Sequence, residues 1–283
     1  MRRLLAVTVA AVTVLTSVAG AQTAPSSPAT DSVRPNLRLF KRSDLYILGM
    51  FTAATIGMFP LDRHLASVVR DEDLVTNRDL KRAATAFRFF GGSGPYIIGA
   101  SMYVVGRVTH VPRMAELGVH GTEAVVVGIA TSGVLKVILG RARPYFSADT
   151  NPRNFGFGRG RRGGQYQSFP SGHSTAAFAA AAAVSTETSS WWPKTKWIFG
   201  PMLYAGATTV GLSRMYDDKH WASDVIMGAA VGTFAGLKTV RFNHTHEGNR
   251  IDRFLLGNAS ESPRLRVILG NDGTVGVVGH LTW

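Results

Sequence analysis

Three short segments hold residues suited to chemistry on a charged group. They are Lys136-Val-Ile-Leu-Gly-Arg-Ala-Arg143-Pro144, Pro170-Ser171-Gly172-His173, and Ser213-Arg214 followed by His220 and Asp224. Lys136, Arg143 and Arg214 are fixed cations. His173 and His220 can move protons or attack, and Asp224 is a carboxylate beside them in sequence. This inventory suits the holding of a tetrahedral oxyanion while a histidine attacks it. A phosphate ester repels nucleophiles until fixed positive charge and hydrogen-bond donors neutralise its oxygens. Arginine offers a planar fork for two oxygens, and lysine a point charge.

The spacing assigns each segment a local form. Lys136 and Arg143 are seven residues apart, close to two helical turns, so a helix running through both puts them on one face. Pro144 then stops or turns the chain. Arg141 falls off that face and is left out of the site. Ser171-Gly172-His173 precedes an Ala-rich run from Ser174 to Val184. A helix N-terminus there presents free N–H groups to an anion. Gly172 allows close backbone approach, Ser171 supplies a hydroxyl, and His173 sits where it can protonate a leaving oxygen. His220 and Asp224 stand at i and i+4, neighbours on one helical face. A carboxylate there fixes the imidazole tautomer and stabilises its cation. No Ser or Cys is placed to act as nucleophile, so His220 takes that part, with Arg214 as a third clamp.

These segments resemble the signature of the type 2 phosphatidic acid phosphatase superfamily, which also holds the vanadium-dependent haloperoxidases and bacterial class A acid phosphatases. The family pattern is K-x6-R-P, then P-S-G-H, then S-R-x5-H-x3-D, and every fixed position is matched. The resemblance implies a phosphohistidine at His220 oriented by Asp224, with His173 as general acid. Lys136, Arg143, Arg214, Ser171 and Gly172 would hold the phosphate. It implies metal-independent hydrolysis of phosphate monoesters or lipid phosphates and diphosphates, with no cofactor. Rival readings are a haloperoxidase with vanadate in the same pocket, a phosphotransferase, and an anion- or lipid-binding envelope protein with a dead site. Each segment alone also has a bland reading: a capping histidine, a surface His–Asp pair, a snorkelling Lys–Arg pair. Their joint occurrence in family order is what argues for chemistry.

The expected fold class is all-α, a helical bundle of about six apolar helices ending in a short β-hairpin. The apolar stretches are Leu45–Pro60, Tyr96–Val108, Ala124–Leu139, Thr175–Val184, Trp197–Leu212 and Val225–Val240. The segments with chemistry sit at the end of the third, the start of the fourth, and between the fifth and sixth. They therefore meet at one end of the bundle. Between the first two stretches, Asp62 to Phe90 alternates charged and apolar residues and reads as one or two amphipathic helices on a surface.

The domain plan is a signal peptide at 1–21, a flexible linker at 22–43, the phosphatase-like domain at 44–242 and a C-terminal tail at 243–283. Arg2 and Arg3 precede an apolar run, and Ala19-Gly20-Ala21 is a cleavage pattern. Hydrophobic residues make up 45% of the 283 and charged residues only 17%, a combination that leans towards a membrane protein or a very helical core. Several stretches fall short of the about 20 residues a span needs. Export leaves the mature N-terminus outside, and six spans would bury the site end in the cytoplasm. Five spans, with Leu45–Pro60 lying on the surface, face the site outward. The expected location is the bacterial inner membrane with an outward-facing site, ahead of the soluble periplasm. Formal charge is +13 at pH 7, which favours anionic partners, here a phosphorylated lipid or small phosphate ester. The chain has no cysteine, which excludes disulfides and thiolate metal sites.

The loop from Tyr145 to Phe169 is rich in glycine and arginine. It lacks the aromatic spacing of a nucleic-acid segment. It reads instead as a cationic lip that recruits lipid headgroups through Arg159, Arg161 and Arg162. Towards the C-terminus, Asn271-Asp272-Gly273 between two β-prone runs is a hairpin signal. Asn243 and Asn258 open glycosylation-type triplets that chance also produces. Of the remaining histidines, only His244 and His246 are close in sequence, and they read as a loop pair; no metal is expected.

Overall fold

The computed structural model describes residues 39–146, 151–246 and 249–257, together with the backbone of 265–269 and 275–279. The expected signal peptide and its cleavage site lie outside the described residues.

Among the described residues the fold is helical. The helices are α1 (Arg42–Met58), α2 (Asp62–Val69), α3 (Glu72–Thr76), α4 (Arg78–Gly91), α5 (Gly94–Val108), α6 (Pro112–Leu139), α7 (Gly172–Trp191), α8 (Lys196–Tyr216), α9 (Ala222–Thr245) and α10 (Arg250–Leu255). Each of the six apolar stretches falls on its own helix, α1 and α5 to α9. The amphipathic region is three helices, not one or two on a surface. The longest, α4, packs against α7 and α8. Strands β1 (Leu265–Leu269) and β2 (Val275–Gly279) pair antiparallel with Leu265 opposite Gly279. The Asn-Asp-Gly turn between them lies outside the described residues.

The centre of the bundle is α7. Ala176, Ala177, Ala179, Ala181, Ala182 and Ala183 are all buried, so the helix is enclosed on every side. Such small side chains let neighbours approach to backbone distance. The seam with α9 depends on Gly228, Gly232 and Gly236, spaced four apart on one face. A methyl group at these positions would meet Ser171 O at 2.5 Å, Thr175 O at 2.3 Å and Ala179 O at 2.6 Å. The α5–α6 seam repeats the device, with a methyl at Gly118 lying 2.4 Å from Gly99 O.

The large apolar side chains point the other way. Leu48, Met50 and Ile56 on α1, Ile97 and Val104 on α5, Val126 and Val134 on α6, and Ile198 and Met202 on α8 are exposed. A core of alanine and glycine under a skin of valine, isoleucine and leucine inverts the pattern of a water-soluble domain. Three segments are long and apolar enough to cross a membrane: Arg42–Val69, Pro112–Leu139 and Ala222–Thr245. The first contains the stretch that was expected to lie on the surface. Helix α6 is 28 residues long, well beyond Ala124–Leu139, because Glu116, His120 and Glu123 interrupt its apolar pattern without ending the helix.

Candidate active site

Two of the expected local forms are corrected. Helix α6 stops at Leu139, and Gly140 takes a left-handed φ of 53° with its N–H on Lys136 O at 3.1 Å. Arg143 is therefore not on the helix that carries Lys136. It returns to the same place through the extended segment beyond Gly140. Lys136 Nζ donates to Gln167 O at 2.7 Å and Arg143 Nη2 reaches the same oxygen at 3.4 Å. Arg143 also donates through Nε to Gly164 O at 2.8 Å and through Nη1 to Lys219 O at 3.3 Å.

Similarly, His220 and Asp224 do not share a helical face. Trp221 is the N-cap of α9, and His220 precedes it. Asp224 occupies the third helical position, where Oδ2 accepts the Trp221 N–H at 2.8 Å. The His220 ring turns back from the loop, with Nδ1 3.5 Å from Asp224 Oδ2 and 2.7 Å from Ser168 O. A carbonyl oxygen only accepts, so Nδ1 carries the proton and the lone pair is on Nε2. Burial pushes the His220 pKa down to about 3, with Lys136 and Arg143 adding to the shift against the opposing pull of Asp224. The ring is neutral at physiological pH, with Nε2 available to attack.

The second segment forms as expected. Ser171 is the N-cap of α7, and its hydroxyl oxygen accepts from Ser174 N at 3.4 Å and Ser174 Oγ at 2.9 Å. Gly172 faces Lys136, since a methyl there would stand 3.7 Å from Lys136 Cε. His173 packs under the end of α4, where a methyl at Gly91 would come within 2.8 Å of His173 Cβ. Burial pushes His173 down to about 4, reinforced by the charges of Arg214, Lys136, Arg88 and Arg143. Arg214 donates through Nη1 to Asp217 at 2.5 Å, while its Nε is buried with no hydrogen-bond partner. An orphaned guanidinium N–H of this kind is unusual in a finished core.

The eight residues named from the sequence (Lys136, Arg143, Ser171, Gly172, His173, Arg214, His220 and Asp224) thus come from the C-terminal end of α6 and the segment after it, the N-terminal end of α7, the last turn of α8, and the loop before α9 and its first turn. Sequence reasoning missed what holds them. Arg141, excluded from the site above, has no exposed surface. Its Nη1 donates to Asp224 Oδ1 at 2.6 Å and Ser223 Oγ at 2.7 Å, and its Nη2 to Asp62 Oδ2 at 2.7 Å. Its guanidinium lies 4.9 Å from the ring centre of Phe59, 5.0 Å from Phe155 and 5.5 Å from Trp221. Asp62 in turn accepts the Ser223 N–H at 2.9 Å. Ser168 completes the assembly, its hydroxyl donating to Asp224 Oδ2 at 2.5 Å while its carbonyl holds His220. Asp224 thus reaches His220 in two ways, directly at 3.5 Å and through the Ser168 that it holds. Gly140, read as a helix stop, was the sequence signal that could have taken both Arg141 and Arg143 off the helix that carries Lys136.

The lip is also revised. Arg159 is committed to structure: Nη2 donates to Gly140 O at 2.9 Å and Asn154 O at 2.7 Å, and the guanidinium sits 4.4 Å from the Tyr166 ring centre. Arg161, Arg162 and Phe157 are exposed. Asn243 is buried and donates to Glu123 at 2.6 Å, so its triplet is closed to a glycan. His244 turns away from His246 towards Glu187 and His120.

A helical bundle that converges three cations and a neutral, oriented histidine on one end is an anion-handling fold. The model of the PAP2 superfamily matches residues 118–247. A lipid A 1-phosphatase from Porphyromonas gingivalis is 40% identical over 87 residues, 30% of this chain and 19% of that protein. An undecaprenyl-diphosphatase from Sulfolobus acidocaldarius is 30% identical over 137 residues, 47% of this chain and 63% of that one. The chain thus spans less than two thirds of either relative. The crystal structure of a transmembrane PAP2-type phosphatidylglycerolphosphate phosphatase from Bacillus subtilis superposes with a TM-score of 0.53 at 21% identity, covering 74% of this chain and all of that one, a likeness of fold.

Proposed function

We propose that this protein is a membrane-embedded phosphatase acting on lipid phosphates or diphosphates through a phosphohistidine at His220. The observation that carries this reading is the state of His220: buried, neutral, with Nδ1–H fixed on Ser168 O, so that the lone pair is on Nε2, and with the charges of Lys136 and Arg143 close enough to lower its pKa. The three relatives named above are each called phosphatases of a lipid-borne phosphate, which supports that substrate class. The apolar outer skin and the three span-length segments support residence in a bilayer.

In the reaction, Lys136, Arg143 and Arg214 neutralise the phosphate oxygens, with the Ser171 hydroxyl and the N-terminal amides of α7 as further donors. The anion offsets the cations that depress His173, so that ring takes up a proton as substrate binds. His220 Nε2 forms a bond to phosphorus while the bond to the leaving oxygen breaks, and His173 delivers its proton to that oxygen. Water then attacks phosphorus, giving a proton to His173, and the P–N bond breaks to release phosphate. None of these steps calls for a metal ion. Export through residues 1–21 and a site facing away from the cytoplasm belong to the same reading.

The test is phosphate release by purified protein in EDTA from a diacyl lipid phosphate, an isoprenyl diphosphate and p-nitrophenyl phosphate, beside His220→Ala. Lipid-selective release that depends on His220 supports the proposal. Equal use of the soluble ester removes the lipid specificity. Undiminished turnover by His220→Ala removes the mechanism, and halide oxidation with added vanadate would replace it.

A further inference from the structure

The opposite end of the same helices holds a second group of titratable side chains. Glu116 and His120 lie near the start of α6, Glu187 near the end of α7 and His244 at the end of α9. One ligand atom from each lies within 4.8 Å of the others. From His173 to Glu187 along α7 is about 21 Å at the rise of a helix, so this group is remote from the phosphate pocket. It was not legible in the sequence, because the four residues come from three separate helices.

We propose that Glu116, His120, Glu187 and His244 form a binding site for a divalent first-row transition metal ion such as Zn2+. Two imidazoles with two carboxylates are a donor set for such ions rather than for Ca2+ or Mg2+. Charge points the same way. Glu116, Glu187, Glu123 and Asp252 surround the two histidines, and among the described residues none of these carboxylates pairs with a lysine or arginine. Even two imidazolium ions would leave the group negative.

The hydrogen bonding supplies an independent indication. His120 is 2% exposed, with Nδ1 2.5 Å from Glu187 Oε1. On the other side of the ring, His120 Nε2 faces Asp252 Oδ1 at 3.3 Å, yet both atoms are buried without a hydrogen bond. An ion bound at Nδ1 would fix the tautomer and draw this pair together. It takes the Nδ1 lone pair, the displaced proton moves to Nε2, and Nε2–H then donates to Asp252. The result is a metal–histidine–carboxylate relay, in which the outer carboxylate orients the ligand and raises its basicity. His244 Nε2, 2.8 Å from Glu187 Oε2, is placed to ligate from the other side. Such an ion ties α6, α7 and α9 together, and through Asp252 also α10.

The experiment strips the full-length protein with EDTA in detergent, then titrates Zn2+ by calorimetry and Co2+ by visible absorption. One equivalent of Zn2+ per chain, visible bands of low-coordinate Co2+ and a raised Tm are expected. His244 is partly exposed, so His244→Gln keeps the fold, which circular dichroism checks; it should abolish stoichiometric binding. Asp252→Asn should weaken binding about 10- to 100-fold, as loss of an outer-shell partner does. His246→Ala, outside the group, should bind as wild type. Failure of the wild type to bind, or equal binding by His244→Gln, overturns the proposal. These readouts do not use catalysis, so they stand apart from the phosphatase reading.

Discussion

The two ends of one bundle carry opposite charge. At the first, Lys136, Arg143 and Arg214 converge on a neutral histidine, and the N-termini of α7 and α9 add their partial positive charge. At the second, Glu116, Glu123, Glu187 and Asp252 surround His120 and His244, and the C-termini of α7 and α9 add partial negative charge. Between them runs a seam of alanine and glycine whose buried polar side chains are small and uncharged, such as Ser132, Thr175 and Thr233. The difference teaches how a scaffold this apolar holds function. Close helix contact fixes the middle, and each end is left with an excess of charge that a ligand of opposite sign completes.

The contrast can be broken at several points. The largest effect is expected for His220→Ala, which should abolish turnover and remove the alkali-stable, acid-labile phosphoenzyme in rapid-quench experiments. Turnover with an intact phosphoenzyme in that variant would mean the cationic end does not act through His220. Next is Arg141→Met. Removing one member of a buried ion pair typically costs about 3–5 kcal/mol, because the partner charges stay buried. Here both Asp62 and Asp224 lose their partner, so a Tm drop large enough to compromise folding is expected, and a wild-type Tm would show the assembly to be dispensable. Arg214→Ala, by contrast, should fold normally and lose about 10²-fold in kcat, the scale of removing one donor to a developing oxyanion. A change confined to KM would make Arg214 a binding group only.

The pH profile sharpens the same contrast at lower amplitude. Histidines held at about 3 and about 4 stay neutral in the free protein well below the usual histidine range. As pH falls towards 4, kcat/KM should therefore rise as His173 gains its proton, and it should fall below about pH 3 as His220 takes one up. An acid limb near 6.5 would place the nucleophile in water rather than in the buried position described. The smallest effect is expected at the lip. Arg161→Ala with Arg162→Ala should lower turnover of vesicle-borne substrate a few-fold, on the order of one exposed charge contact each, with hydrolysis of p-nitrophenyl phosphate unchanged. Equal losses on both substrates would assign the lip to the fold.

How much of this was legible in the sequence depends on how local the information is. The fixed residues and the apolar stretches are local signals, and they lead to the right helices and the right end of the bundle. Geometry inferred by extending a helix failed twice. The left-handed Gly140 interrupts the helix between Lys136 and Arg143, and the N-cap at Trp221 separates His220 from Asp224. In both places the side chains still converge, by tertiary routes that spacing does not encode. Partners brought from afar were not legible at all. Asp62 meets Arg141 across 79 positions and His120 meets Glu187 across 67. In sequence, nothing near any of these residues names its distant partner, and only the packed bundle supplies the other member of the pair.

The assembly of Asp62, Arg141 and Asp224 bears on how the protein acquires its pocket. None of the three charges can enter an apolar interior alone, since an unpaired buried ion is far costlier than a paired one. The start of α2, the segment after α6 and the start of α9 must therefore dock together, each waiting for the other two. Partial versions of the pocket are suppressed: the chain either withholds all its site groups from one another or delivers the whole set in register. For a protein made stepwise from the N-terminus, Asp62 is displayed long before Arg141 and Asp224 exist. The pocket can be completed only when α9, which brings Asp224, has joined the other two segments.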